Sequence, residues 1–219
     1  MRLHGRRFQH VIAVHRATVG AELCVGLLND RIGTGSITHV NESALEMDVR
    51  FDHTPPQKLA LTLILALPRP KVLRRVLRAV SSMGVPRVII VNSFRVEKSF
   101  WQSPILGEKN IQAQLVLGLE QAKDTALPEV LLRPLLKPFV EDELPSLANG
   151  ALSLIAHPQA SVPCPRHTQQ ATILAVGPEG GFLPYEIDKF TACGFTPVTI
   201  GSRILCVETV VPALIAQLC

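Results

Sequence analysis

The chain has 219 residues, a formal net charge of +4, 47% hydrophobic and 18% charged residues. That composition excludes a disordered chain and leaves room for one large domain, or for one domain with a small satellite. The longest apolar run, Leu59 to Leu67, is too short to span a bilayer, and Met1 to Arg7 lacks the apolar centre of a signal peptide, so a cytoplasmic protein without membrane contact is expected. The five cysteines are widely spaced and form no CxxC pair, which argues against a disulfide framework and against a metal site.

In chain order, residues 11–14, 22–27, 36–40 and 44–49 read as short strands, parted by turn-rich pieces such as Asn29-Asp30-Arg31 and Gly33-Thr34-Gly35. That pattern predicts a small β-barrel. Pro55-Pro56 cannot join a helix interior or a central strand, and places the boundary of a first domain at residues 1–56. Over 57–219 the grammar changes. Continuous apolar runs at 59–67, 87–91, 151–156, 171–176 and 196–200 alternate with helical patterns, and strands apolar on both faces belong inside a parallel sheet covered by helices. The second domain is therefore expected to be α/β. Residues 127–150, with four prolines and the acids Glu141, Asp142 and Glu143, form the least regular stretch.

The spacing predicts a helix over 71–82 in which Lys71, Arg74, Arg75 and Arg78 recur at i, i+3, i+4 and i+7, opposite Val72, Leu73, Val76, Leu77 and Val80. Arg69 extends the basic stripe. Such a face either keeps the protein soluble or meets an external anion, and the absence of acids one turn away on the helix favours the anion.

Between the run ending at Val176 and a helix starting near Pro184 lies GPEGGF, Gly177 to Phe182. Its glycines bare backbone amides at the carboxyl end of a strand, where α/β sheets bind small molecules, although they also serve two sharp turns. GSRILCVET, Gly201 to Thr209, repeats the construction after the last apolar run, and His157-Pro158 forms a third turn of the same kind. The spacings match neither GxGxxG nor GxxxxGK[ST], so neither a dinucleotide fold nor a P-loop enzyme is supported. HExxH and GxSxG are absent as well.

Together, VGPEGGFLPYEI, IGSRILCVETVVPAL, HVIAVHR, LALPRPKVLRRVLRAVSSMGV and GLEQAKDTALPEV resemble the RsmE family from about Arg6 to Leu218. The resemblance implies S-adenosylmethionine-dependent methylation of N3 of a uridine in small-subunit (16S) ribosomal RNA. It also implies a SPOUT-type α/β domain over 57–219, with a C-terminal trefoil knot, behind a PUA-like β-barrel RNA-binding domain over 1–56. Members of the family are homodimers, so the expected partners are small-subunit rRNA or the small ribosomal subunit and a second copy of the chain. The chain departs from the family pattern at Cys206, where many members have arginine, and at Ala79, Ser81 and Ser82, where they have a lysine and a Thr-Glu pair. Family chains also begin with a strand before HVIAVHR, which here starts close to Met1, leaving open whether the barrel is complete.

Carried onto this chain, the family's cofactor turns fall on Ala156 and His157, on Gly177, Pro178, Glu179, Gly180 and Gly181, and on Ile200, Gly201, Ser202, Ile204 and Leu205. Arg203 lies in the third turn, as either a stabiliser of negative charge on the uracil oxygens or an anchor for RNA phosphate. Uracil N3 must lose its proton to accept a methyl group, and Glu179 and Glu208 are the acidic candidates. Glu208 reads equally well as a charge on a helix N-terminus, and His157 as a turn residue acting through its backbone. N3 lies on the pairing edge, so the base must be unpaired or extruded. Arg16, Arg69, Lys71, Arg74, Arg75, Arg78, Arg95 and Lys98 are the RNA candidates, with Trp101 either a stacking aromatic or ordinary core. The competing readings are a non-catalytic RNA-binding relative that keeps the knotted fold, and a small-molecule α/β enzyme, which leaves the basic helix face unexplained.

Overall fold

The computed structural model describes all residues, Met1–Cys219, and by its internal contacts the chain divides into two units, Met1–Pro56 with Lys123–Ala126, and Gln57–Ala122 with Leu127–Cys219.

In the first unit, β1 (Arg2–His4), β2 (Glu22–Gly26), β3 (Ile32–Val40) and β4 (Ala44–His53) form one antiparallel sheet in the order β1-β4-β3-β2. The sheet is open, with β1 and β2 at its edges, rather than the closed barrel that the strand pattern predicts. A strand does precede HVIAVHR, although it is only three residues long. Residues 11–14 are not a strand. They continue α1 (Gly5–His10) through a wider π-helical turn, Val11–His15, so that Phe8 and Val11 fall on one face and pack with Ile37, Leu45 and Met47. The i, i+3 spacing of that pair overrides the β propensity of Val-Ile-Ala-Val. Gly33-Thr34-Gly35 is no turn either, but the interior of β3, where the main chain of Arg50 would collide with any side chain at Gly33. Thr125, although flanked in the chain by Ala122 and Leu127 of the second unit, belongs to the first and donates its hydroxyl to the Asp30 carbonyl.

The second unit is built on seven parallel strands, β5 (Leu61–Ala66), β6 (Arg87–Val91), β7 (Glu129–Arg133), β8 (Leu152–Ala156), β9 (Val162–Pro163), β10 (Thr172–Val176) and β11 (Thr196–Thr199), in the order β7-β6-β5-β10-β8-β11-β9. Four helices of two turns or more accompany it: α2 (Pro70–Ser82), α3 (Glu108–Ala122), α6 (Pro184–Ala192) and α7 (Val207–Leu218). Residues 127–150 are more regular than their composition suggests. They supply β7 and then a run of short helical pieces, α4 (Leu136–Pro138), a π-helical turn over Phe139–Glu143, and α5 (Leu144–Ala148). Strand β7 is an edge strand without a fully buried residue, and so lacks the apolar run that marks the central strands. Its register with β6 places Arg87 opposite Glu129, where the guanidinium donates to the carboxylate at 2.6 Å.

Every residue of β10 is buried, as are Leu63 to Ala66 of β5 and Val88 to Val91 of β6. Helix α2 faces this core with Leu73, Val76, Leu77 and Val80, while Lys71, Arg74, Arg75 and Arg78 stay exposed. The C-terminal end of α7 lies against the β8–β10 connection. His167 and Thr168 donate their N–H groups to the carbonyls of Gln217 and Leu218 at 3.0 and 2.8 Å, and the Gln217 amide donates to the Cys164 carbonyl at 2.6 Å.

Candidate active site

Strands β10, β8 and β11 are parallel neighbours, so their carboxyl ends lie side by side at one edge of the sheet. The three turns singled out in the sequence follow those ends. The strand order also reverses beside β5, since β6 and β7 are added on one side of it and every later strand lies on the other, and such a reversal is where open α/β sheets form a ligand crevice.

After β8, Ala156 and His157 are half-buried. The His157 N–H is bound to the Val198 carbonyl at 2.9 Å and its Nδ1 accepts from the Gln159 N–H at 3.3 Å, so the imidazole shapes the turn. After β10, Gly177 and Pro178 are buried, and the Gly181 N–H closes the turn on the Pro178 carbonyl at 2.8 Å. A Cβ on Gly177 would come within 3.0 Å of the Phe182 nitrogen, so the turn closes this tightly only around glycine. After β11, Gly201, Ser202, Arg203 and Ile204 are exposed, with Ile200 and Leu205 half-buried beside them. The N–H groups of Ser202 to Leu205 have no hydrogen-bond partner in the chain. Bare amides beside Ile200 and Leu205 suit a flat heteroaromatic ring, which needs apolar faces and hydrogen bonds along its edge.

The charged candidates separate into committed and free groups. Glu208, in the first turn of α7, binds Arg75 of α2 at 3.2 Å. Its carboxyl is held below the ordinary range, chiefly by its own N–H, with contributions from Cys206 and Arg75. Arg78 donates to Gln114 of α3 at 2.8 Å. The basic stripe therefore does have internal partners, contributed by helices distant in sequence, and only Arg69, Lys71 and Arg74 of the stripe keep guanidinium or ammonium groups without one. Arg203 is exposed and makes no ion pair. Glu179 accepts the Arg69 N–H at 3.0 Å, tying the GPEGG turn to the start of α2. Arg95 donates to the Gly180 carbonyl. Lys98 is exposed at the start of a short 3-10 turn, Lys98–Gln102, and Arg16 is exposed in the first unit with left-handed backbone, φ 50°. Trp101 is core: half-buried against the main apolar cluster, it donates its indole N–H to Asn92 at 2.9 Å.

One residue of this region is missing from the sequence reading. Glu186, at the third position of α6, is fully buried and accepts two backbone N–H groups, Leu183 and Phe94, each at 2.8 Å. A glutamate three residues beyond a helix start is a visible capping pattern, but its second bond, to a loop ninety-two residues earlier, leaves no trace in local sequence. The thiols of Cys164, Cys193 and Cys219 are pushed up by burial, and no group of His, Cys, Asp and Glu residues is arranged to hold a metal.

Residues 55–219 match the family described as RNA methyltransferase domain. The ribosomal RNA small subunit methyltransferase E of Treponema pallidum is 27% identical over 93% of this chain and 78% of its own length. That of Mycobacterium tuberculosis is 24% identical over 91% and 78%. Among solved structures, the ribosomal RNA small subunit methyltransferase E of Neisseria gonorrhoeae, bound to S-adenosylmethionine, superposes with a TM-score of 0.76 at 22% identity, covering 99% of this chain and 89% of that one. A Legionella pneumophila methyltransferase, also solved with that cofactor, gives 0.70 at 24% identity over 98% and 89%. With a fold shared along its whole length and a family match that takes in every element from β5 to α7, this chain belongs to the RNA methyltransferase domain family, of the RsmE type.

Proposed function

We propose that the protein methylates N3 of a uridine in small-subunit ribosomal RNA, using S-adenosylmethionine. The observation that carries this reading is the convergence of three turns, two of them opening on a glycine, at the carboxyl ends of β10, β8 and β11, inside the segment that matches the RNA methyltransferase domain. The residues present fit the cofactor: the unpaired amides of 202–205 would hold the edge of its adenine, and Ala156, Ile200 and Leu205, with the GPEGG turn, would line the pocket around it. Bound there, it supplies an electrophilic methyl group.

The chain's own residues must hold the base in line and manage one proton. Arg203, exposed and without an acidic partner, offsets the negative charge that uracil acquires when N3 is deprotonated. Glu208 is a weak base, because its own N–H, Cys206 and Arg75 all favour the carboxylate. Its role is to hold the start of α7 against α2. Glu179 is then the proton acceptor, and its bond to the Arg69 N–H orients it from the β5 side of the GPEGG turn.

The same proposal includes a homodimer, a PUA-like role in RNA binding for the first unit, a cytoplasmic location and a trefoil knot. The knot is supported by the course of the chain, since β10 returns between β5 and β8 while the end of α7 is bonded to Cys164, His167 and Thr168 of the β8–β10 connection. The deciding experiment is transfer of labelled methyl from cofactor to small ribosomal subunits that lack the modification, with nucleoside analysis of the product. Label in N3-methyluridine is expected. Label in any other base overturns the N3 chemistry, and cofactor binding without transfer overturns the enzyme.

A further inference from the structure

We propose that Phe94 is the platform on which the extruded target base stacks, an assignment that rests on the RNA methyltransferase reading above. Methylation at N3 takes the uracil out of its pairing and stacking partners, so a surface that replaces the lost stack lowers the cost of presenting the base. Phe94 supplies an aromatic face where one is needed. It follows the end of β6 and is 74% exposed, whereas Trp101, the one aromatic of this region that the sequence singles out, is packed and its indole N–H is already used.

Exposure alone would not distinguish Phe94 from an incidental surface apolar residue. What does is the way its backbone is held. Its N–H is bound by Glu186, a carboxylate with no exposed surface whose other oxygen binds the Leu183 N–H. Burying a carboxylate is costly unless its oxygens are satisfied. Here they are satisfied by two loop peptides, one just before α6 and one carrying Phe94, so the ring projects from a fixed main chain. The next residue, Arg95, is anchored on the Gly180 carbonyl, which sets Phe94 beside the GPEGG turn.

The surroundings select the occupant. Arg95, Lys98 and Arg69 are exposed, and each is held or placed on the β5–β6 side of that turn, while the cofactor turns of β8 and β11 lie on its other side. An aromatic among cations is the arrangement that receives a base together with its flanking phosphates. The GPEGG turn thus borders both the cofactor side and the side from which the base arrives.

The test compares Phe94→Ala, Phe94→Leu and Phe94→Tyr with the natural chain, by anisotropy of a labelled single-stranded uridine-containing oligonucleotide and by methyl-transfer kinetics on unmodified small subunits. Phe94→Ala and Phe94→Leu are expected to weaken oligonucleotide binding about 5- to 100-fold and to raise KM for RNA in step. Phe94→Tyr stays within about twofold because it keeps the ring. Cofactor affinity and the thermal midpoint should not move, since the side chain is exposed. Unchanged oligonucleotide binding by Phe94→Ala overturns the assignment. So does recovery by Phe94→Leu, which would mark a general apolar contact such as a protein partner. If the natural chain transfers no methyl group, the proposed function fails, and the oligonucleotide series still decides whether Phe94 stacks a base.

Discussion

At the scale of single residues, the site separates groups that sequence treats alike. Glu179 and Glu208 are both acids beside glycine turns, but Glu208 is bound to Arg75 and held low, while Glu179 accepts one backbone N–H. Glu179→Gln keeps an oxygen for the Arg69 N–H and removes only the basicity. We expect kcat to fall by about 10²-fold or more with cofactor affinity unchanged, measured by single-turnover methyl transfer and calorimetric titration. Glu208→Gln should leave kcat within about tenfold and act on stability instead. Because folding lowers the Glu208 pKa, its stabilisation is complete above the unfolded value near 4.3 and is lost as pH falls through the lower folded value. The variant is thus expected to be less stable by about 0.5–1 kcal/mol at pH 7, and to converge with the natural chain in acid urea titrations. The glycines divide in the same way. A Cβ at Gly177 meets backbone, the Phe182 nitrogen at 3.0 Å, whereas one at Gly180 meets the Arg95 side chain at 2.9 Å. Gly177→Ala should therefore weaken cofactor binding most, while Gly180→Ala also displaces Arg95 and should raise KM for RNA more than it weakens cofactor binding. Equal effects on the two constants would show that the turn does not separate two binding sides.

At the scale of elements, α2 and α3 approach so closely that Gly118 of α3 has no room for a side chain: the Arg78 carbonyl and, at 2.8 Å, Ser81 Cβ occupy the space. Ser81 reinforces the contact by donating its hydroxyl to the Leu115 carbonyl at 2.8 Å. Gly118→Ala gains about 1 kcal/mol of helix propensity but must push the helices apart, and overpacking of this kind costs about 1–3 kcal/mol. The expected net outcome is a loss of up to about 2 kcal/mol, read as a lower urea midpoint, and a gain in stability would mean that the helix pair is looser than described. This contact also marks what sequence could and could not reveal. The strands β5, β6, β8 and β10 were legible because burial on both faces leaves a continuous apolar run, and α2 because one face is basic and the other apolar. Strand β7 and the helical turn at Val11–His15 were not, since one is a half-buried edge and the other a β-branched run held by a packing partner. The three turns of the candidate site announced themselves through glycine and proline. Their neighbours across the sheet did not, because the Arg75–Glu208 and Glu186–Phe94 contacts join residues 133 and 92 positions apart.

At the scale of the whole molecule, a net charge of +4 is too small to steer RNA by itself, so attraction must come from where the 22 basic residues lie. At about 0.1 M salt, charges more than about 10 Å away are largely screened, and only a local cluster with uncommitted cations contributes. On the stripe that starts at Arg69 and runs along α2, Arg75 is paired with Glu208 and Arg78 is bonded to Gln114, leaving Arg69, Lys71 and Arg74. If these meet phosphates, replacing both Lys71 and Arg74 by glutamine lowers the slope of log affinity against log salt by about 1.4–1.8, each lost phosphate contact contributing about 0.7–0.9. Arg75→Gln behaves differently, because it removes a cation already neutralised by Glu208 and leaves that carboxylate unpaired, so that affinity falls through repulsion of a nearby phosphate rather than through a lost phosphate contact. Anisotropy of a labelled small-subunit rRNA fragment between about 50 and 200 mM salt measures both effects. A slope left unchanged by the double substitution would make the stripe a solvated face, and would move the RNA path to the β6 side of the GPEGG turn, where Arg95 and Lys98 are exposed.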